Sequence, residues 1–340
     1  MTVLDGEDGD YRASQGNFGL VWLQGKGADY APYANLSYKA VQQWSHFASS
    51  LQEISGLDVA LDQSGGFEFF TDDAEFDEFQ GLLNAQHRHL DGRVDHDVLS
   101  GHELRKLHPE IGPKVVGATF CGLDGHVNPL RFLHSLQTAV TNLGGKILSE
   151  MTVSDVEAVL GGGFSMSTIT GTTINAERVV LCAGLGSSKL APQLGFKTIV
   201  RAQRGELLIT EKIGDRLPFL SSTIRQVDEG GIQIGGTKAD VGLDNSETLE
   251  VMCGLAKHAV SVLPMLADVR VIRAWGALRV LSPDGYPVYT QSAEKPGAYL
   301  VTCHSGVTLA PLHTKGLVDW IENASGAPDL EAFDEARFSI

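Results

Sequence analysis

Apolar residues recur every three or four positions from Ser37 to Leu51, at Tyr38, Val41, Trp44, Phe47, Ala48 and Leu51. That period predicts an amphipathic helix with Trp44 in the core. A second helix is expected after Asp72-Asp73, on Phe76, Phe79, Leu82 and Leu83. Ser100-Gly101-His102-Glu103 reads as a capping box opening a short helix that Pro109 stops. Asn128-Pro129 puts proline at the first turn of a helix whose apolar face includes Leu130, Leu133, Leu136 and Val140 and which Leu143-Gly144-Gly145 closes. Further helices are expected over 247–262, ending at Pro264, and over 307–323.

Between the helices the pattern changes to short apolar runs bounded by glycine and polar turns. Thr2-Val3-Leu4-Asp5-Gly6 reads as the end of a buried parallel strand closed by an acid, and residues 66–71 and 146–148 as further strands. Residues 151–176 form an expected meander through Gly161-Gly162-Gly163. Arg178 to Gly184 reads as a buried strand running into a glycine, with a helix starting at Ser187-Ser188. Such a junction aims backbone N–H groups at an anion, although a turn in any α/β fold explains it as well. From Ile199 to Gly236 the pieces look antiparallel and argue for a separate sheet; residues 269–280, a 283–285 turn, residues 297–303 and an acidic tail from Asp329 follow. The expected class is mixed α/β.

Composition narrows what such a fold can do. A chain of 340 residues that is 43% hydrophobic can bury one large core or two ordinary ones, and 39 glycines suit tight strand–helix turns. Lys+Arg 26 against Asp+Glu 42 gives a net charge of -16 without a basic run, which argues against nucleic acid or an anionic lipid surface as partner. Cys121, Cys182, Cys253 and Cys303 are far apart and form no C-x-x-C pair, so four reduced thiols in a cytoplasmic protein are expected. His102 and His108 lack paired ligands, and no metal site is expected. The N-terminus lacks a signal-peptide layout and no apolar run approaches the ~18 residues of a membrane span.

Two stretches carry the chemistry. Ala277-Leu278-Arg279 brings an arginine from a strand end into the Pro283-Asp284-Gly285 turn, and Cys303-His304-Ser305-Gly306-Val307-Thr308 runs from a strand into the last helix. The pair suits a flavin and an anionic substrate, and an ion pair with Asp284 is the structural reading of the same arginine. Arg12-Ala13-Ser14-Gln15-Gly16-Asn17-Phe18-Gly19 is small, polar and glycine-rich, fit either to approach a phosphate or flat ring or to be an ordinary surface loop. Asp5 has the position of the ribose-binding acid of a dinucleotide fold, yet no G-x-G-x-x-G occurs: Gly25-Lys26-Gly27, Gly161-Gly162-Gly163 and Gly184-Leu185-Gly186 each fail at the final glycine.

Taken in order, the Asp5 strand end, the 12–19 loop, Asp124-Gly125-His126-Val127-Asn128-Pro129, the Val-Val-Leu-Cys-Ala-Gly strand, Arg204-Gly205-Glu206, Gly235-Gly236-Thr237, Leu278-Arg279 and His304-Ser305-Gly306 resemble the FAD-dependent amine and D-amino-acid oxidoreductases. That group holds glycine oxidase, sarcosine oxidase and D-amino-acid dehydrogenase, and the closing 302–310 stretch looks most like the flavin subunits of opine oxidases and hydrogen cyanide synthase. The resemblance spans essentially the whole chain. It implies a discontinuous FAD-binding Rossmann-like domain (1–60, 125–200 and 270–340) interleaved with an antiparallel-sheet substrate domain (61–124 and 201–269). It implies cofactor contacts from Asp5, Ala13, Ser14, Asn17, Gly19, Val153, Ala183, Gly184, Gly276, Ser305, Gly306, Val307 and Thr308. Arg279 would hold a substrate carboxylate, with His304 and Trp275 beside it as the remaining catalytic candidates; Trp22 and Trp275 are core residues on the plainer reading.

The implied reaction is hydride transfer from the Cα of a D-amino acid, glycine-like or opine-like secondary amine to FAD, with additional redox subunits as possible partners. The family pattern opens with a strand and a Gly-x-Gly-x-x-Gly turn that this sequence does not contain. Without them, two strand edges are expected to be unpaired and FAD to be held less tightly. A folded, non-catalytic subunit or gene fragment is the alternative reading. A nicotinamide-dependent dehydrogenase is poorer, because nothing forms a second dinucleotide site.

Overall fold

In the computed structural model, which describes residues 1–6, 13–198 and 200–338, strand Arg201–Lys212 pairs antiparallel with Val271–Leu281 along nearly its whole length. Its other edge takes Gly231–Ile234, which pairs with Ile224–Gln226, completing a four-stranded sheet. Alternation along these strands splits the side chains between two faces. Leu208, Ile224, Ile232 and Ile234 pack on Leu255, Ala259 and Val262 of helix Leu249–Val262. The other face carries Gly205, Leu207, Arg225, Gln233, Ala277 and Arg279, by their register with one another.

A three-stranded antiparallel sheet of Gly66–Phe70, Gly117–Cys121 and Asp97–Ser100 adds Phe67 and Phe69 to that same core. A second core is built on helix Ala31–Ser55, where Trp44 is fully buried against Phe47 and Phe132. This helix starts six residues before its apolar repeat, with proline in its first turn, and ends at Gly56 in the left-handed conformation. The Ser100 capping box forms with both of its hydrogen bonds. The meander folds as Val153–Ala158, Phe164–Thr168 and Thr173–Ala176, all antiparallel. The acidic tail is pinned rather than loose, because Leu330 and Phe333 are buried. Arg12 and Ile199, part of the expected loop and strands, lie outside the described residues.

Two expectations are corrected. In helix Pro129–Asn142 the buried residues are Pro129, Phe132, Ser135 and Ala139, whereas Leu130 is 58% exposed. The helix is rolled because the Phe132 ring packs between Trp44 and Phe47 and Ser135 hydrogen-bonds Ser55. The parallel strands form, but the expected burial holds only in part: Thr2–Leu4 has no buried residue and Val179–Leu181 buries only Leu181. Thr2–Leu4 pairs only with Lys146–Leu148, and Val179–Leu181 only with Ala298–Thr302, which in turn pairs with Val288–Gln291. Val3 and Val180 are therefore exposed at strand edges that have no second partner among the described residues.

Candidate active site

The 13–19 segment lies across the polar face of the four-stranded sheet. Asn17 folds it: the Asn17 Nδ2 donates to Ser14 O (2.8 Å), and Gly19 N donates to Asn17 Oδ1 (2.8 Å). Gly16 sits so close to the sheet that an added Cβ would fall 2.5 Å from Ala277 Cβ, and Trp275 Nε1 donates to Gly16 O (3.3 Å). Gly19 has φ +83°, and a Cβ there would meet Val127 O at 2.4 Å. Gly19→Ala combines a disfavoured conformation with a backbone clash and is expected to destabilise by about 2 kcal/mol or more, read as a lower thermal midpoint.

The next residue inward, Phe18, lies against Gly235 and under the Arg225 guanidinium, whose carbon is 5.3 Å from the ring centroid. Arg225 is buried, donates to Gln233 Oε1 (2.5 Å) and to His126 Nδ1 (3.0 Å), and keeps Nε without a partner. Burial, reinforced by the Arg225 charge, pushes the His126 imidazole down to about 4, so its Nδ1 is free to accept.

Arg279 occupies the same sheet face. Its guanidinium lies over Gly205, where a Cβ would be 2.5 Å from Nη1, and Nη1 is buried with no hydrogen-bond partner. The ion-pair reading with Asp284 is corrected: Asp284 accepts from Arg337 Nε (2.8 Å) and Nη2 (3.1 Å). Among the described residues Arg279 has no ion pair. Burial lowers its pKa, because desolvation disfavours the charged form.

The start of helix Gly306–Ile321 closes the site. Ser305 Oγ is shared by Lys26 Nζ (2.7 Å) and the Tyr33 hydroxyl (2.6 Å), and it makes no capping bond to its own helix. Thr308 Oγ1 accepts from Trp22 N (3.3 Å), and Thr308 O accepts from Trp44 Nε1 (3.0 Å), tying the first turn to the Trp44 core. His304 is held down to about 3 by desolvation and by the charges of Lys26, Arg279 and Lys238. With desolvation and neighbouring cations acting in the same direction, His304 is neutral at physiological pH.

The other site residues lie in separate places. Asp5 N donates to Leu148 O (2.9 Å), Met151 N donates to Asp5 O (2.9 Å), and Thr152 Oγ1 donates to Gly6 O (3.0 Å), which lays the Asp5-Gly6 backbone along residues 148–152. Ala183 and Gly184 follow the Val179–Leu181 strand, and Gly184 approaches the Val280 side chain. Gly276 is not brought to Arg279: it pairs with Glu206 and faces Asn245 O across the opposite side of the sheet. Residues that the sequence reading passed over include Lys26, Phe18, Arg225 and Lys238; the one available signal was Lys26 between two glycines.

Behind Trp22 lies a buried polar network. Asp124 accepts from Leu23 N (2.5 Å) and Gln24 Nε2 (2.8 Å), while Gln24 Oε1 accepts from Thr119 (2.7 Å). Burial raises the Asp124 carboxyl to about 8, against a model-peptide value of 3.8. The folded state thus binds a proton that the unfolded state releases, so stability falls as pH rises from about 4 to about 8. Asp124→Asn is expected to flatten that part of the profile, seen as a smaller difference in thermal midpoint between pH 6 and pH 8.5.

A family profile for FAD-dependent oxidoreductases matches residues 1–320. A subunit of the opine oxidase of Rhizobium meliloti is 38% identical over 337 residues, covering 99% of this chain and 90% of that protein. Hydrogen cyanide synthase subunit HcnC of Pseudomonas aeruginosa is 28% identical over 300 residues, covering 85% and 70% respectively. The structure of glycine oxidase from Bacillus cereus superposes with a TM-score of 0.84 at 20% identity, over 96% of this chain and 95% of that one. The chain belongs to the FAD-dependent oxidoreductase family, whose cofactor is FAD.

The residues present fit that cofactor at its two ends. An uncapped helix start, Lys26 and a buried unpartnered arginine nitrogen are the kinds of group that would suit a ring that becomes negative on reduction and an anion beside it. Elsewhere Asp5 follows a parallel strand, its backbone bonded to Leu148 and Met151, where a ribose-binding acid would be expected. No helix among the described residues is long and apolar enough to cross a membrane, and no group of metal-binding side chains occurs among them.

Proposed function

We propose that this chain, loaded with FAD, oxidises the Cα–N bond of a carboxylate-bearing amine: an opine-like secondary amine, a D-amino acid or glycine. The observation that carries the reading is the buried, unpartnered Nη1 of Arg279 on the sheet face covered by the 13–19 segment. The 38% identity to an opine oxidase subunit favours the secondary amine within that class and an additional subunit as partner. Bound FAD supplies the acceptor for a hydride from the substrate carbon.

The protein's part is placement. A planar guanidinium matches a carboxylate through two parallel hydrogen bonds and fixes which carbon faces the ring. Phe18, Trp275 and Gly16 pack on the same floor and limit the water that reaches it. Lys26 and the helix start add positive potential, and neutral His304 leaves the substrate ammonium without a competing cation at that point.

Anaerobic incubation of FAD-loaded protein with an artificial electron-accepting dye, separately with octopine, D-alanine and glycine, tests the reading. Dye reduction by at least one of them is expected; none with any supports the alternative. That alternative, a folded subunit holding FAD weakly and without catalysis, draws on the edges of Thr2–Leu4 and Val179–Leu181 that have no second partner among the described residues. It predicts protein that stays colourless after dialysis against FAD.

A further inference from the structure

Strand Gly66–Phe70 reads Gly-Phe-Glu-Phe-Phe, a single acid in an apolar run. Phe67 and Phe69 enter the shared core, so alternation turns Gly66 and Glu68 to the opposite face. There the Trp22 ring covers Gly66, where an added Cβ would lie 2.5 Å from it. Thr119, directly across the ladder from Glu68, donates to Gln24. Because Trp22 N is bonded to Thr308, this face abuts the first turn of the final helix.

The Glu68 carboxyl is partly buried and accepts a hydrogen bond from Ser222, a residue kept beside the strand by its N–H to Phe67 O (3.3 Å). The Trp22 indole nitrogen is buried without a completed hydrogen bond, yet lies near enough to influence the Glu68 proton. Lys238, exposed and without an ion pair among the described residues, acts electrostatically on Glu68 and also on His304, on which Arg279 acts too. Lys238 thus reaches both the acid and the imidazole, and Arg279 reaches the imidazole.

We propose that Glu68 is the proton acceptor for the substrate nitrogen, opposite the carboxylate-binding Arg279. The Glu68 carboxylate takes one N–H proton from the ammonium, becoming a carboxylic acid and leaving the nitrogen lone pair free; no bond to carbon changes in that step. The assignment rests on the amine-oxidising reading above and adds a residue to it. Desolvation raises the Glu68 carboxyl to about 7, with Ser222, Trp22 and Lys238 opposing the rise. Asp124, the other acid within range, is raised further and stays protonated below about 8. A group that titrates near neutrality can both receive a proton from an ammonium and return it to solvent.

Calorimetric binding of iminodiacetate, a secondary amine with two carboxylates, and of thiodiacetate, its sulfur counterpart without an N–H, separates this from a structural role. With FAD-loaded protein at pH 6, iminodiacetate binding measured in two buffers of different ionisation enthalpy is expected to release up to about one proton, and at pH 8.5 almost none. Thiodiacetate should release none at either pH. Glu68→Gln is expected to weaken iminodiacetate at least 10-fold, abolish the release and leave thiodiacetate within about 2-fold. Equal binding of both ligands with no release at pH 6 in the unaltered protein would overturn the Glu68 assignment while leaving Arg279 intact, and needs no variant to fold. Failure of both ligands to bind would overturn the amine-oxidising reading and this inference with it.

Discussion

Arg279→Lys is expected to lower kcat/KM for the amine substrate about 100-fold while the FAD content of the purified protein stays unchanged. The magnitude follows from what is removed. Lysine keeps one positive charge but loses the planar fork, so one of two parallel charge-assisted hydrogen bonds disappears. Such a bond is worth about 1.5–3 kcal/mol, and at about 1.36 kcal/mol per decade the upper part of that range gives two decades. The site sharpens the loss, because the guanidinium rests on Gly205 and one of its nitrogens is already out of water without a protein partner. An ammonium at the end of a flexible stem has no such seat and would sit desolvated. Steady-state kinetics together with the flavin absorbance of each preparation decide the matter. Loss of flavin in proportion to activity would make Arg279 a structural residue, and a KM increase with unchanged kcat would confine its role to ground-state binding.

How far the molecule was readable in advance depended on whether a signal was local. The helix around Trp44 announced itself because its apolar residues repeat within one element, and the capping box at Ser100 because both of its partners lie within three residues. Helix Pro129–Asn142 misled because its four most conspicuous apolar residues, Leu130 among them, are not the ones buried. The roll of that helix is set by Trp44 and Phe47, more than eighty residues earlier in the chain. Strand exposure at Val3 and Val180 was equally hidden, since a strand's burial depends on how many neighbours it has and not on its own composition.

The site shows the same division. Arg279 and the His304–Thr308 stretch could be picked out as candidates because each sits near a strand end beside a turn or helix start. Glu68, Arg225 and Lys238 could not, because their surroundings are made by antiparallel register and a neighbouring loop: Ser222 reaches Glu68 across 154 residues, and His126 reaches Arg225 across 99. The lone acid in Gly-Phe-Glu-Phe-Phe was the one trace of Glu68 in the sequence, and only the face opposite Phe67 and Phe69 gives it meaning.

The largest loss of stability is expected at the ion pair beneath the sheet rather than at the site itself. Arg204 Nη2 lies 3.2 Å from Glu206 Oε1, both side chains being almost completely buried, and Glu206 also accepts from Thr248 N (2.9 Å) and Thr248 Oγ1 (3.3 Å). These bonds hold down the 237–248 loop, which pairs Ala239 with Arg204 and lays Asn245 O against Gly276. Arg204→Met would strand the Glu206 carboxylate in the interior and is expected to cost about 3–5 kcal/mol. At about 2 °C per kcal/mol, the thermal midpoint should fall by roughly 6–10 °C, measurable by scanning calorimetry. The double variant Arg204→Met with Glu206→Leu removes the stranded charge, so most of that loss should return, less about 1–3 kcal/mol for the Thr248 N–H left without its acceptor. Because Lys238 rides on the same loop, the single variant should also raise KM for an anionic amine, whereas a double variant no more stable than the single one would show that the pair does not act as a unit.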